Sequence, residues 1–285
     1  MVQILSQNSS RPVWLFICEE DGQSPRFMFD IRFFAESLKS RQENEAYDNF
    51  YFFASNPDAM KDLLKDRGIV TNKVFACSEL ETEIKRLENI PFLGCVVSSH
   101  GDINGVVNIK PNKIMDLIQN IPGLTDGLLL LGQCYSGIFN VPKQSKICVI
   151  GASNFCPSIS SKFNRVDWVA NIFLYYFAKW LKTPFDVDGD GQNTVLDAYK
   201  YASYYTDNEL NSIKSNLSKG FHTWCTKEVE DLQSLSLKVI KNPADSGLMA
   251  LYQDAQRRLG GRLSIYHNSQ ESWISDLNTA LRFII

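Results

Sequence analysis

Two apolar runs that each break off at a reactive side chain constrain this chain more than any other feature. One is Leu128-Leu129-Leu130-Leu131-Gly132-Gln133-Cys134-Tyr135-Ser136-Gly137. The other is Leu93-Gly94-Cys95-Val96-Val97-Ser98-Ser99-His100-Gly101-Asp102. A short, continuous apolar run bounded by small turn-forming residues reads as a buried strand. In an open α/β sheet the C-terminal edge is where loops from neighbouring strands converge and where ligands bind. Adjacent strands that deliver an imidazole and a thiol to that edge supply the minimum equipment of a cysteine nucleophile.

The rest of the chain supports that setting. Strand-like segments at residues 13–18, 50–54, 73–77, 92–98, 105–109, 128–132 and 146–152 alternate with helix-like ones at 29–40, 58–66, 79–87, 113–121 and 167–181. Such βα alternation predicts an α/β fold with a mostly parallel sheet and helices on both faces. Beyond about residue 212 the pattern becomes helical, at 227–240, 246–259 and 271–284, with Gly260-Gly261 as a break. The expected organisation is an α/β domain over 10–211 and a helical C-terminal extension over 212–285.

Composition narrows the partners. Hydrophobic residues make up 44% and charged residues 21%, which suits a globular chain with a large core. A formal net charge of −3 gives no reason to expect nucleic acid or an anionic membrane as a partner. No apolar stretch approaches the roughly 20 residues needed to cross a bilayer. Residues 1–11 carry Gln, Asn and Ser where a signal peptide needs an apolar segment. The seven cysteines contain no CxxC pair, so a reducing compartment is expected and a structural zinc site is not. These readings place the protein in the cytoplasm, or export it from there without a classical signal peptide.

The chemistry expected of His100 and Cys134 follows from their functional groups. A thiol with an ordinary pKa of about 8.5 is mostly protonated at neutral pH. A neighbouring histidine raises the thiolate fraction and later protonates a leaving amine. Gly101 and Gly137 allow close approach of backbone to substrate because no Cβ intrudes. Backbone N–H groups beside the pair would form an oxyanion hole, in which losing one donor costs about 3 kcal/mol of barrier.

His100-Gly101 and Cys134-Tyr135-Ser136-Gly137, 34 positions apart from His to Cys, resemble the catalytic signature of caspase-like cysteine peptidases, the group that includes metacaspases and legumain-type enzymes. In that group a strand ending in His-Gly precedes one ending in Cys-x-Ser-Gly. The matching order of elements runs from about Val13 to Tyr205. The resemblance implies a caspase-like sheet, with Cys134 as nucleophile and His100 as general acid/base. It implies the Gly101 and Cys134 N–H groups as oxyanion donors. It also implies that Ser153 and Asn154 line the pocket for the residue before the scissile bond. Gly132 stands in that pocket where metacaspases carry an acidic residue, which weakens any Arg/Lys preference. Ser99 stands where the group often has Gly. The implied activity is a cysteine endopeptidase working through a Cys–His dyad and an acyl-enzyme on protein or peptide substrates. Transfer of the acyl group to an amine is a variant of it. The rival expectation is an interaction or regulatory protein on the same scaffold, binding a protein partner through its C-terminal helices.

A second motif concerns a cation. Asp186-Val187-Asp188-Gly189-Asp190-Gly191-Gln192-Asn193-Thr194-Val195-Leu196-Asp197 places carboxylates at positions 1, 3, 5 and 12, Gly at 6, Gln192 at 7 and Thr194 at 9. That spacing wraps oxygen ligands around a hard divalent cation. The predicted ligands of a structural calcium ion are Asp186, Asp188, Asp190, Gln192, Thr194 and Asp197, and catalysis itself needs no cofactor. Asn193 at position 8 and Asp197 in place of Glu at position 12 depart from the EF-hand pattern. Asp at 12 is similar to dockerin-type loops, and the DGDG loop followed by Asp197-Ala198-Tyr199-Lys200-Tyr201-Ala202 resembles bacterial caspase-like and legumain-like peptidases. The other reactive side chains have quieter readings: His222 and Cys225 in a structural loop, and His267 on the surface. Asp21 and Arg26 are expected near the sheet edge that carries the dyad.

Overall fold

The computed structural model describes residues 12–19, 25–40, 49–102, 105–106, 110–140, 146–160, 169–267 and 270–282. Its strands are β1 (Val13–Glu19), β2 (Phe50–Ala54), β3 (Val74–Ala76), β4 (Phe92–Ser99), β5 (Gly101–Asp102), β6 (Gly105–Val106), β7 (Asp126–Leu131), β8 (Ile147–Gly151) and β9 (Trp273–Ile274). Its helices are α1 (Arg26–Lys39), α2 (Pro57–Lys65), α3 (Leu80–Ile84), α4 (Pro111–Gln119), α5 (Ile172–Lys182), α6 (Val195–Ser218), α7 (Phe221–Lys241), α8 (Ser246–His267) and α9 (Leu277–Arg282).

Seven strands form one sheet in the order β3-β2-β1-β4-β7-β8-β9, parallel throughout except for β9, which runs antiparallel to β8. The fold is therefore α/β with a mostly parallel sheet, as the alternation of segments predicts. β5 and β6 pair separately as a small antiparallel ladder.

Side-chain parity sorts the core into two layers. Leu15, Ile17, Cys95, Val97, Leu129, Leu131 and Val149 face one side and pack with Leu80 and Ile84 of α3 and Ile114, Met115 and Ile118 of α4. On the opposite side, Phe16 stacks on Phe52 and meets Phe34 of α1, which in turn stacks on Phe177 of α5. Helices thus cover both faces, and each fully buried Phe or Leu contributes about 1.5–3 kcal/mol. Trp14 explains a glycine inside a strand. Its indole lies over Gly94, its register partner, in the space a Cβ would need.

The chain divides into two compact units, Met1–Thr206 with Gln270–Ile285, and Asp207–Ser269. This differs from the expected split at 211/212 because the chain returns to the sheet after the helices. Residues 271–284, expected as a helix, instead supply β9 and the short α9. Trp273 pairs with Gly151 and Ile274 with Ile150, and Asp276 caps the turn that follows through Asn278 N and Thr279 N. In the helical unit, α8 continues through Gly260-Gly261, where a break is expected. Arg262 just beyond ion-pairs with Glu228 of α7 at 2.6 Å and lies 5.3 Å from the Trp224 ring, so tertiary contacts override the glycine preference. His222 and Cys225 lie in α7 and not in a loop, and His267 ends α8. Helix α5 starts later than expected, because Asn171 caps it by accepting the Leu174 N–H at 2.8 Å. Residues 167–168 and Asp21 lie outside the described residues, as does the 107–109 part of the fifth expected strand. No described helix is long and apolar enough to cross a membrane.

Candidate active site

β4 and β7 are neighbours in register, Val97 opposite Leu131, and the Gly132 N–H extends the ladder by donating to the Val97 carbonyl at 2.9 Å. Parallel pairing makes both strands end at the same edge, so the segments carrying His100 and Cys134 leave the sheet side by side. Gly101 then comes so close to the other segment that a Cβ on it would overlap the Cys134 carbonyl oxygen and the Gln133 side chain.

His100 is exposed and held from one side by α1. Its ring meets Phe27 edge-on at 4.9 Å, and its Nε2 lies 3.5 Å from Arg26 Nη2. Arg26 therefore does face this edge. Asp102, the next carboxylate along, pairs with Gly105 in the small ladder.

After β7 the chain turns sharply at Tyr135, whose φ of 57° and ψ of 28° are left-handed, and enters a short 3₁₀ turn over Ser136–Phe139. For a non-glycine residue that conformation is held against an intrinsic cost. Hydrogen bonds to the segment after β8 hold it, among them Tyr135 N to Cys156 O at 3.0 Å, Gly137 N to Asn154 O at 3.0 Å, Ser136 Oγ to Ser153 O at 2.5 Å, Ser153 N to Ser136 Oγ at 3.0 Å and Ser153 Oγ to Gln133 O at 3.2 Å. Gly137 lies against the Asn154 backbone, in space a Cβ would fill.

Cys134 is half-buried. Its sulfur accepts the Ser158 N–H at 3.3 Å, with Ser158 Oγ at 3.7 Å. Its own N–H has no acceptor among the described residues, leaving that donor open to a developing oxyanion. Burial pushes the thiols of Cys77, Cys95 and Cys148 up to about 12, which makes those three poor nucleophiles.

The three expected pocket residues have mostly internal partners. Ser153 is buried, and its side chain bonds the turn after β7 through the Gln133 carbonyl. Gly132 is buried under Leu174, and its carbonyl accepts from Asn171 Nδ2 and from Ser158 Oγ at 3.3 Å. Asn154 is half-buried and donates to Glu271 at 3.4 Å.

Asp30 on α1 ties the two strand ends together. It accepts from Ser98 Oγ at 2.8 Å, two residues before His100, and from Asn171 N at 3.0 Å. It also accepts from Ala170 N at 3.1 Å. Asn171 in turn donates to Gly132 O, two residues before Cys134. Burial pushes the Asp30 carboxyl up to about 8 despite these donors. Sequence reasoning missed Asp30, Asn171, Phe27 and Ser158. The only available signal was position, since residues after β8 must adjoin the turn after β7.

In the acidic loop, ligand oxygens of Asp186, Asp188 and Asp190 lie within 4.8 Å of one another. Gly189 and Gly191 take positive φ to close the turn, and the N–H of Gly191, then that of Gly189, holds the Asp186 carboxyl below the usual carboxylate range. Asp197 is not among the gathered carboxylates. It is fully buried, with Val187 N and Asp188 N on one oxygen and both Thr194 N and Thr194 Oγ1 on the other. Thr194 is thereby committed too. The Gln192 N–H donates to Asp190, and Lys200 Nζ sits 2.7 Å from Asp188.

Comparison of the chain with protein-family models and with curated proteins gave no match.

Proposed function

We propose that this chain is a cysteine peptidase of caspase-like type, cleaving peptide bonds through Cys134 and His100. The observation that carries the reading is the backbone contact between Gly101 and Cys134, because it sets the histidine-bearing segment against the thiol-bearing one at the ligand-binding edge of the sheet. The Cys134 sulfur attacks the substrate carbonyl, and the oxyanion that forms is met by the Cys134 N–H, with the Gly101 N–H as its proposed partner. His100 gives its proton to the departing amine, leaving a thioester. Water then attacks that thioester with His100 as base, releasing the acid and the free thiol.

The loop of Asp186, Asp188 and Asp190 suits a divalent cation through three carboxylates, with Asp197 and Thr194 shaping the loop from beneath. Calcium in that position would screen the mutual repulsion of the carboxylates and stiffen the entry to α6. A second reading has one observation in its favour. Leu237, Ile240 and Leu251 are exposed on the helical unit, as expected of a chain that binds a partner there.

Incubation with a diverse peptide library, followed by mass spectrometry of the products, tests the main reading. Cleavage by the parent and its loss in both Cys134→Ala and His100→Ala are the expected results. A Cys134→Ala protein that cleaves as well as the parent overturns the reading.

A further inference from the structure

We propose that Ser158 is a further catalytic residue, whose backbone N–H and hydroxyl together stabilise the Cys134 sulfur as its thiolate. This inference rests on the peptidase reading and gives it a component that the Cys–His pair lacks.

Three atoms of Ser158 surround the sulfur: N at 3.3 Å, Oγ at 3.7 Å and the carbonyl oxygen at 3.9 Å. The set serves both protonation states. As a thiol, Cys134 donates towards the Ser158 carbonyl while the Ser158 hydroxyl donates to Gly132 O at 3.3 Å. As a thiolate, the sulfur accepts from the Ser158 N–H, and the hydroxyl turns from Gly132 O to the sulfur. That turn leaves no buried acceptor unsatisfied, because the Gly132 carbonyl keeps its bond from Asn171 Nδ2. Hydrogen bonds to a charged acceptor are about twice as strong as neutral ones, so the donors favour the thiolate.

Such donors act only if they are fixed in advance. Residues 152–159 are pinned at both ends by one buried amide. Gln270 accepts the Ile159 N–H at 2.8 Å and donates to Ala152 O at 2.9 Å. The Trp273 indole N–H adds a bond to Ser153 O at 2.9 Å, and Cys156 O receives the Tyr135 N–H. The segment that presents Ser158 is thus tied to the return strand and to the nucleophile turn at once. With the thiolate stabilised from the β8 side, the proton lost by the Cys134 thiol passes to His100, which then gives it to the leaving amine.

The experiment is the rate of iodoacetamide alkylation at Cys134 against pH, read by mass spectrometry on the full chain, alongside kcat and KM. Ser158→Ala is expected to slow alkylation at neutral pH about tenfold, the scale of one hydrogen bond to a charged group. Its pH profile should shift to the alkaline side, and kcat should fall with KM nearly unchanged. Ser158→Thr, which keeps the hydroxyl, is expected to recover most of the alkylation rate. Ser158→Gly serves as a second hydroxyl deletion if the alanine variant is unstable, and should behave alike. A folded Ser158→Ala or Ser158→Gly protein with the parent's alkylation profile overturns the proposal. The two readings fail separately. Slower alkylation together with an active Cys134→Ala protein leaves the thiolate assignment standing and removes the peptidase.

Discussion

Gly101 and Cys134 are packed backbone against backbone, with the Cys134 carbonyl oxygen in the space that a side chain on Gly101 would occupy. The contact joins the turns after β4 and β7, and nothing larger than hydrogen fits between them. Gly101→Ala is therefore expected to push those turns apart. Overpacking of this kind costs about 1–3 kcal/mol, and a displacement of about 1 Å in a catalytic group costs on the order of a hundredfold in rate. Urea unfolding and kcat/KM on the same preparation should register both losses. Parent-like activity in the alanine variant would mean that the contact does not set the dyad.

How much of this was readable beforehand depends on where the information lies. Leu128–Leu131 and Leu93–Val97 announce β7 and β4 because strands buried on both faces must be apolar at every position. Their adjacency, and so the departure of the segments carrying His100 and Cys134 from one sheet edge, is a matter of parallel topology. Trp273-Ile274 announces nothing, since two residues carry no periodicity and their pairing partner Gly151 lies 122 positions upstream (273 − 151). Ser158 is hidden for the same reason: the loop that carries it is fixed by the return strand, Gln270 and the turn after β7, all distant in sequence. Asp197 fits its motif by spacing, yet the fold turns its carboxylate toward backbone donors of its own loop. Spacing specifies which residues are near one another, and competition for hydrogen bonds decides which way they face.

The return strand is expected to matter for stability out of proportion to its length. Trp273 lies over Gly151 and hydrogen-bonds Ser153 O, covering the β8 edge. Trp273→Ala should destabilise the sheet unit by about 3 kcal/mol, the low end for removing a large aromatic, because the side chain is half-buried. Hydrogen exchange should show the loss at residues 147–153, and unchanged protection there would count against the strand as a buttress.

Calcium binding is the prediction with the smallest ligand set. Three carboxylates, one of them paired with Lys200, fit the weak end of calcium sites, with Kd on the order of 10⁻⁴–10⁻³ M. Titration calorimetry should detect that binding, and a concentration of about 100 Kd should stabilise the chain by about 2.7 kcal/mol. Asp188→Asn and Asp190→Asn should each abolish the heat, whereas Lys200→Met should tighten binding by removing the competing cation. Absence of heat at millimolar calcium in the parent refutes the site.

Asp30 gives the chain a pH dependence of unusual sign. Its carboxyl is pushed from 3.8 to about 8 by burial, so the folded protein holds a proton there that the unfolded chain releases. The group's contribution is whole below about pH 4, declines as pH rises, and is lost through about pH 8. One extra proton in the folded state corresponds to a slope of about −1.4 kcal/mol per pH unit between those limits. Asp30→Asn removes the titration while leaving one amide oxygen for three donors, at a cost of about 1–3 kcal/mol. Urea midpoints at pH 5, 7 and 9 should therefore show the parent's advantage over the variant shrinking with pH and levelling off above about 8. A constant advantage would mean that Asp30 is ionised throughout and that its three donors outweigh its burial. Ionisation strengthens the bonds from Ser98 and Asn171 but leaves a charge buried, so opening that brings Asp30 to water should become easier as pH rises, at the positions two residues before His100 and Cys134. Loss of peptide cleavage near pH 8 in the parent, absent from the asparagine variant, would trace the alkaline limb to Asp30 and not to the dyad.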